Sequence, residues 1–321
     1  MPPRVSYVMT ARNAERYVGS AVASVLSQTN EDLELVFVDD ASTDATREIV
    51  QAFGDERIRI VDGPGLGIAS ASNAGLEAAL GEFVARSDAD DVAEQDRTRV
   101  QLEYLGAHPE VAVVGSWADL MDDEEAPLGV LRVPSRREDV EAALADGRNP
   151  FLHPTVMFRA ERALEAGGYD VRLDSHTGSD GEFLRRLCKF GSGANVPTSL
   201  VRYRLTRGAV SNGYSLLPKR MQRRRLDVLE RVENRSASAA DYHDSSVIMA
   251  AAGAIDPDLA YNYRVGKVVL QTHGDPRIAA RYLARAWRIR PQSLRVTKNL
   301  AVASMLSGVK CEKDDASGWV S

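Results

Sequence analysis

Apolar positions in the first ninety residues follow two alternating patterns. Short runs rich in Val, Ile and Leu have the length and composition of β-strands, and they cover residues 5–9, 33–38, 57–61 and 82–87. The intervening stretches repeat apolar residues every three or four positions, as amphipathic helices do, and they cover residues 14–26, 46–53 and about 68–80. Strands that alternate with helices through short connections predict a parallel, Rossmann-like α/β sheet.

The pattern changes after residue 91. We expect a helix at residues 97–107, a strand at 111–114 and a Pro-bounded loop that enters a strand at 149–159. A helix capped by residues 178–182 then runs to about residue 190, and a final strand covers 200–205. The acidic sequence Asp122-Asp123-Glu124-Glu125 carries four carboxylates in a row and predicts a solvated hairpin tip.

From about residue 211 onward the sequence favours helices alone. Apolar residues at helical spacing predict helices over 221–232, 257–269, 276–289 and 292–306. Two of them open with an Asp-Pro pair, at Asp256 and at Asp275, which suits an N-cap followed by a first-turn proline. We therefore expect a domain of residues 1–210 and a helical C-terminal region of residues 211–321.

Composition restricts the classes of protein that remain. The chain has 321 residues and a net charge of −6, which argues against a nucleic-acid-binding protein. Its two cysteines, Cys188 and Cys311, form neither a disulfide framework nor a zinc pattern, as is usual in a reducing compartment. The first ten residues lack the apolar core of a signal peptide, and no stretch has the roughly 18 apolar residues of a membrane span. We expect a cytoplasmic protein, at most peripheral at the inner face of the membrane.

A carboxylate cluster closes the fourth predicted strand. Asp88 and Asp90 are two residues apart, so in an extended or tightly turned segment they face one point, and Asp91 follows them. Clustered carboxylates are costly unless a cation lies between them, and Mg²⁺ or Mn²⁺ shared with a phosphate is the natural occupant. The cluster therefore predicts an enzyme that handles a nucleotide diphosphate, with a solvated acidic loop as the alternative.

Several blocks together resemble family 2 glycosyltransferases of the GT-A fold. They are VSYVMTARN at residues 5–13, VLSQT at 25–29, VDDASTD at 38–44, SDADD at 87–91, HPTVMFR at 153–159 and the helix that begins near Asp180. They occur in the order and spacing of that family over about residues 4–206. The resemblance implies a GT-A catalytic domain, with a nucleotide-sugar-binding half at residues 1–91 and an acceptor-binding half at residues 92–210.

The resemblance also implies an activity: inverting transfer of a sugar from a nucleotide-diphosphate donor to a hydroxyl of a saccharide or lipid-linked saccharide. Thr10 and Arg12 would then line the nucleotide pocket, and Asp40 would bind the base, uracil or thymine. Asp88 would lie near the ribose or the metal, and Asp90 would contact the Mn²⁺ or Mg²⁺ ion that bridges the diphosphate. This points to surface polysaccharide or glycolipid synthesis.

The acceptor side of the resemblance centres on Asp180, which would act as the general base. His153, Asp91, Ser179 and Glu182 would lie near the acceptor or the metal. His153 next to a proline also fits a structural residue, and Asp180 also fits a simple helix cap.

The chain departs from the family pattern at several positions. Arg12 replaces a frequent aromatic residue, Ser72 replaces a frequent Arg, and Ser179 replaces the usual Glu before the base. These changes lie near the donor sugar and the acceptor, so they leave the class intact and the substrate open.

Two other functional classes compete with this interpretation. A nucleotidylyltransferase would carry a Gly-rich loop with Lys or Arg after the first strand, and residues 10–13 do not form one. A noncatalytic carbohydrate-binding or scaffold protein would be favoured by loss of Asp90 or Asp180, and both are present. The basic stretch 219–225 is a candidate membrane contact, and its alternative is a solvated, salt-bridged helix.

Overall fold

The computed structural model describes residues 2–173, 179–207 and 254–308, together with residues 209, 216–217, 220–221, 223–224, 227–228, 231, 236–238, 241 and 250–252. The chain divides into two compact units. The first is built mainly from Met1–Asp119 and Arg132–Tyr203, and the second contains Leu120–Leu131 and the C-terminal helices. Cys311 and much of the predicted helix at 221–232, including residues 222 and 225 of the basic stretch, lie outside the described residues.

The first half of the sheet is parallel, as the sequence predicts. Its strands are β1 (Val5–Ala11), β2 (Leu33–Asp39), β3 (Ile58–Asp62) and β4 (Phe83–Asp88), and its connecting helices are α1 (Val18–Leu26), α2 (Thr46–Gln51) and α3 (Ile68–Ala78). The strands lie in the order β3-β2-β1-β4, with all three pairings parallel. The chain therefore extends the sheet from β1 in one direction and then returns to place β4 on the other side of β1.

Beyond β4 the sheet becomes mixed. The next elements are β5 (Val92–Ala93), α4 (Arg97–Ala107), β6 (Val111–Met121), β7 (Pro127–Leu131), α5 (Arg137–Ala145), β8 (Met157–Arg159), α6 (Ala160–Glu165), α7 (Ser179–Leu187) and β9 (Ser192–Arg204). The order continues β4-β8-β6-β9-β5, and β8 runs antiparallel to both β4 and β6. Mixed α/β architecture of this kind confirms the predicted fold class.

Apolar side chains cover both faces of the parallel strands. On one face of β1, Val5, Tyr7 and Met9 belong to an apolar cluster that includes residues of α1 and α4. On the other face, Val8 belongs to a cluster that includes residues of α3 and α7. Gly75 of α3 lies so close to β1 that an added Cβ would come within 2.4 Å of Val8 Cγ1. Because both faces are covered, each polar side chain inside these strands needs a partner within the protein.

The second unit joins a hairpin to three helices, α8 (Pro257–Gln271), α9 (Pro276–Ile289) and α10 (Leu294–Ser307). As the Asp-Pro pairs predict, Asp256 Oδ1 accepts a hydrogen bond from the Leu259 N–H (2.8 Å) and Asp275 Oδ1 accepts one from the Arg277 N–H (2.8 Å). Among the described residues, no helix is both long enough and apolar enough to cross a bilayer.

The hairpin tip in this unit differs from the sequence expectation. Asp122 and Asp123 are buried, with 5% and 3% exposure, instead of solvated. Tyr282 of α9 donates its hydroxyl hydrogen bond to Asp122 Oδ2, and the Asp123 N–H donates to the Tyr261 hydroxyl of α8 at 3.2 Å. Burial and the adjacent Asp122 carboxylate raise the pKa of Tyr282. The expectation of a fully solvated tip was wrong because the partners of these groups lie about 140 and 160 residues downstream.

Candidate functional site

The carboxyl ends of β1 and β4 form the point at which the strand order reverses. In open α/β sheets a crevice opens at such a point, and ligands bind there. The register places Thr10 of β1 directly beside Asp88 of β4, and Ala11 beside Asp39 of β2. Two of the predicted nucleotide-binding residues are thus neighbours at this switch point.

The predicted acidic cluster forms at the end of β4. Asp88, Asp90 and Asp91 can each direct one carboxylate oxygen to a common region, with these oxygens within 4.8 Å of one another. Asp91 is buried, whereas Asp88 and Asp90 are half-buried and remain accessible. The Asp91 N–H donates to the Asp88 carbonyl at 3.3 Å, which fixes the tight turn that gathers the side chains. Three carboxylate oxygens at this spacing suit a hard divalent cation, Mg²⁺ or Mn²⁺, that keeps open positions for phosphate oxygens.

A buried cation lies next to this cluster, and sequence reasoning missed it. Arg86 is 1% exposed, and its Nη2 reaches both Asp88 Oδ1 (2.8 Å) and Thr10 Oγ1 (2.7 Å). Its Nη1 donates to the carbonyls of Val8 (2.9 Å) and Ser87. The guanidinium therefore links the carboxyl end of β1 to the carboxyl end of β4. A charged residue within a strand buried on both faces is the sequence feature that identifies it.

Asp40, the predicted base-binding residue, holds a glycine loop. Its carboxylate accepts hydrogen bonds from the N–H groups of Gly65 (2.7 Å) and Gly67 (3.1 Å), at backbone φ angles of +71° and +133° that favour glycine. An added Cβ at Gly63 would come within 2.8 Å of Asp40 Oδ1. A carboxylate offers about four acceptor positions, so these two bonds leave capacity for a ligand. Base binding by Asp40 stays a prediction.

The loops that follow β1 and β2 hold each other in a strained conformation. Asn13 and Ala41 both have positive φ, +55° and +62°, although neither is glycine. The Asn13 N–H donates to Ser42 Oγ (3.0 Å), and Asn13 Oδ1 accepts from the Thr43 N–H (2.8 Å). Arg12 lies in the first of these loops with its side chain exposed. Backbone strain of about 1–3 kcal/mol per residue is often found in functional loops, so the loop that carries Arg12 is a candidate for ligand contact. Nucleotide binding by Arg12 stays a prediction.

His153 lies deeper, in a short helical turn before β8. It is 7% exposed, and its Nε2 is 2.8 Å from the Tyr169 hydroxyl. Burial, assisted by the positive charge of Arg86, holds the pKa of His153 well below its usual value, so the ring is neutral at pH 7. Asn73 fixes Tyr169 through two hydrogen bonds to its backbone, at 2.8 and 2.9 Å. His153 is thus part of a rigid buried pair with a tyrosine that the sequence did not single out.

Asp180, the predicted base, lies in the first turn of α7 and is half-buried. Burial raises the pKa of the Tyr169 phenol, Arg86 opposes this, and the charges of Asp180 and Asp88 add to it. The Tyr169 phenol is thus under the electrostatic influence of both Asp180 and Asp88. The role of Asp180 as the base stays a prediction.

Ser179 and Glu182, on either side of Asp180 in α7, are both buried. Ser179 is buried at 3% exposure. Glu182 is buried, and its two carboxylate oxygens accept hydrogen bonds from Nε and Nη2 of Arg186, each at 2.7 Å. Arg186 also donates to the Gly168 carbonyl (2.8 Å), one residue before Tyr169. Glu182 and Arg186 thus fix α7 against the Tyr169 segment, while the place of Ser179 and Glu182 near the acceptor or the metal stays a prediction.

Comparison with known proteins agrees with this geometry. The family model for glycosyl transferase family 2 matches residues 6–165, about half of the chain. An uncharacterized glycosyltransferase of Haemophilus influenzae is 29% identical over 224 residues, which cover 66% of this chain and 69% of that protein. The amylovoran biosynthesis glycosyltransferase AmsE of Erwinia amylovora is 32% identical over 164 residues, which cover 50% of this chain and 60% of AmsE. The match thus spans less than two thirds of AmsE.

Solved glycosyltransferase structures share the fold. S. aureus TarS 1-349 superposes with a TM-score of 0.55 at 15% identity, covering 96% of this chain and 93% of that one. The mannosyltransferase PcManGT from Pyrobaculum calidifontis, solved with GDP-Man and Mn²⁺, superposes with a TM-score of 0.54 at 20% identity, covering 97% and 82%. The GT-A fold expected from the sequence is confirmed. With the family model, the relatives and the fold in agreement, this chain belongs to glycosyl transferase family 2.

Proposed function

We propose that this chain is an inverting, metal-dependent glycosyltransferase that acts in surface polysaccharide or glycolipid synthesis. It would transfer a sugar from a UDP- or dTDP-linked donor to a hydroxyl of a saccharide or lipid-linked saccharide. The observation that carries the proposal is the Asp88, Asp90 and Asp91 cluster at the switch point, beside Thr10. The relative AmsE, named for amylovoran biosynthesis, supports a saccharide product.

The proposed donor site combines three kinds of contact. Asp90 and its neighbouring carboxylates would hold Mn²⁺ or Mg²⁺, and the ion supplies charge neutralisation for the leaving diphosphate when it is bound. Thr10 and Asp88 are held in place by Arg86, so they would meet the nucleotide with little reorganisation. TarS has been solved with UDP and with UDP-GlcNAc, and PcManGT with GDP-Man, so the fold accepts more than one base. The proposed preference for uracil or thymine rests on Asp40.

The proposed acceptor chemistry rests on Asp180. A carboxylate that removes a proton from the attacking hydroxyl, on the face opposite to the diphosphate, gives inversion in one displacement. Half-burial leaves Asp180 accessible to an acceptor, while Phe183 of the same helix stacks on Tyr169 with ring centroids 4.1 Å apart. The stacking would hold the base at a constant distance from the donor side.

Thermal unfolding with UDP, dTDP, GDP and ADP, each with and without Mn²⁺, tests the donor site. A ligand at 100 times its dissociation constant adds about 2.7 kcal/mol, which is several degrees for a domain of this size. We expect a Mn²⁺-dependent shift with UDP or dTDP that Asp90→Asn removes, whereas Asp146→Asn, at an exposed carboxylate far along the sequence, leaves it unchanged. A shift with GDP alone would overturn the choice of base.

A noncatalytic carbohydrate-binding or scaffold protein is the competing function. It predicts no metal-dependent nucleotide shift and no release of nucleotide diphosphate from any sugar nucleotide. Release that requires both Mn²⁺ and an added acceptor would exclude it.

A further inference from the structure

The C-terminal helices carry an unusual concentration of positive charge. Residues 276–308 contain seven basic residues and no acidic residue, in a chain whose net charge is −6. Four of the seven lie on α9 at positions i, i+4, i+8 and i+11, and all four are exposed: Arg277, Arg281, Arg285 and Arg288. At about 100° per residue these positions fall within roughly 80° of arc, so they form one stripe. We call these four residues the arginine stripe.

The opposite side of α9 is fixed in the unit. Ala279, Ala280, Leu283 and Ala286 are fully buried, and Tyr282 bonds to Asp122 of the hairpin. The helix therefore cannot turn its arginines inward, and the stripe is a constant feature of the surface.

On other surface helices of the chain, exposed arginines form ion pairs with carboxylates of the same helix or its N-cap. Arg99 on α4 pairs with Asp96 and Glu103, Arg137 on α5 pairs with Glu141, and Arg162 on α6 pairs with Glu165. None of the carboxylates in the described residues makes an ion pair with the arginine stripe. Four adjacent cations without a paired carboxylate in this part of the chain repel one another, and an anionic surface relieves that repulsion.

Two exposed apolar side chains lie where α9 ends and α10 begins. Ile289 directly follows Arg288 and is 43% exposed, and Leu294 at the start of α10 is 86% exposed. Trp287 is half-buried beside them. Apolar groups next to a cationic face gain free energy by entering the boundary between headgroups and acyl chains, and a soluble polyanion offers them no such gain.

We propose that the arginine stripe, with Ile289 and Leu294, is a docking surface for an anionic lipid bilayer. α9 would lie in the plane of the bilayer, with its arginines on lipid phosphates and the two apolar side chains inserted at the headgroup level. The surface is distinct from residues 219–225, and it does not depend on the identity of the donor or the acceptor.

The test is co-sedimentation of the full chain with vesicles of phosphatidylcholine alone and with about one quarter phosphatidylglycerol. We expect binding to the anionic vesicles alone, weakened by salt. The triple variant R281Q/R285Q/R288Q should bind roughly 100-fold less tightly. R99Q/R137Q/R162Q carries the same change in net charge elsewhere, and it should bind like the wild type. R281K/R285K/R288K, which keeps the charges, should also bind.

A second arm separates a bilayer from a soluble polyanion. I289S/L294S should weaken vesicle binding and leave retention on a sulfated polysaccharide column unchanged. Circular dichroism melting of each variant shows that a loss of binding is not a loss of folding. Absence of vesicle binding by the wild type, equal binding by the triple Gln variant, or retention on the column without any vesicle binding would each overturn the proposal.

Discussion

Replacing Arg86 by Met removes the buried guanidinium and keeps an unbranched side chain about as long as the stem of the arginine. The structure allows the cost to be worked out contact by contact. Arg86 is 1% exposed and bonds Asp88, Thr10 and the carbonyls of Val8 and Ser87. Removing one partner of a buried ion pair costs about 3–5 kcal/mol, because the remaining charge loses its compensation.

The lower end of that range applies to this pair. The Asp88 side chain is 27% exposed, so water can solvate part of the charge that Arg86 leaves behind. We therefore expect Arg86→Met to lower the free energy of unfolding by about 3 kcal/mol, and the midpoint of thermal unfolding by roughly 6–12 °C. Arg86→Lys keeps the charge and loses the fork that spans Thr10 and Asp88, so we expect an intermediate loss.

Urea and thermal unfolding of the variants measure this effect. Arg99→Met is the matched control, since Arg99 is half-exposed and makes surface ion pairs with Asp96 and Glu103. We expect that control to leave the stability nearly unchanged, because exposed ion pairs contribute little. If Arg86→Met and Arg99→Met destabilise the protein equally, Arg86 does not hold the ends of β1 and β4 together. Calorimetry with UDP and Mn²⁺ should also show weaker donor binding for Arg86→Met.

Three further predictions concern the acceptor side, pH and the second unit. Asp180→Asn should lower sugar transfer by roughly 10²–10⁴-fold while calorimetric binding of the donor nucleotide is retained; unchanged transfer would exclude Asp180 as the base. Because the fold lowers the pKa of His153, the unfolded chain binds more protons below about pH 6.5, so stability should fall as the pH drops from 6.5 toward the depressed pKa. Urea unfolding at pH 7.5 and 5.5 measures this loss, at most about 1.4 kcal/mol per pH unit, and His153→Gln should flatten the dependence. Tyr282→Phe removes the hydroxyl that donates to Oδ2 of the buried Asp122, while Oδ1 keeps the Glu124 and Ala126 N–H groups, and it should cost about 1–3 kcal/mol in thermal unfolding; a midpoint within one degree of the wild type would contradict the importance of that bond.

Local sequence periodicity predicts the parallel half of the sheet well. Each of the strands β1 to β4 is a short, largely apolar run, and the polar residues that follow it in the sequence show where it ends. The acidic cluster follows from the same reasoning, because Asp88 closes β4 and the carboxyl ends of parallel strands meet at one edge.

Features that depend on partners distant in sequence could not be predicted from local patterns. Asp122 looked like a solvated residue because its local partners are the turn N–H groups of Glu124 and Ala126, whereas Tyr282, the side chain that bonds its other oxygen, lies 160 residues away. Tyr169 gains its importance from Asn73 and His153, which lie far from it in sequence. Arg86 was within reach of local reasoning, since a cation in a strand covered on both faces requires a partner. The start of β9 was also missed, because Gly193 and Asn195 have low strand propensity and depend on pairing.

The bond between Asp122 and Tyr282 has a consequence for protein synthesis. The two residues are 160 positions apart. At translation rates of about 5–20 residues per second, the ribosome makes Tyr282 on the order of 10–30 s after Asp122. During that interval the Asp122 carboxylate lacks the hydrogen bond from Tyr282, and the Asp123 N–H lacks its partner Tyr261. The hairpin therefore completes its hydrogen bonding only after the C-terminal helices have been made, and a chain that ends before residue 257 would keep its family 2 domain but leave this hairpin without those helices.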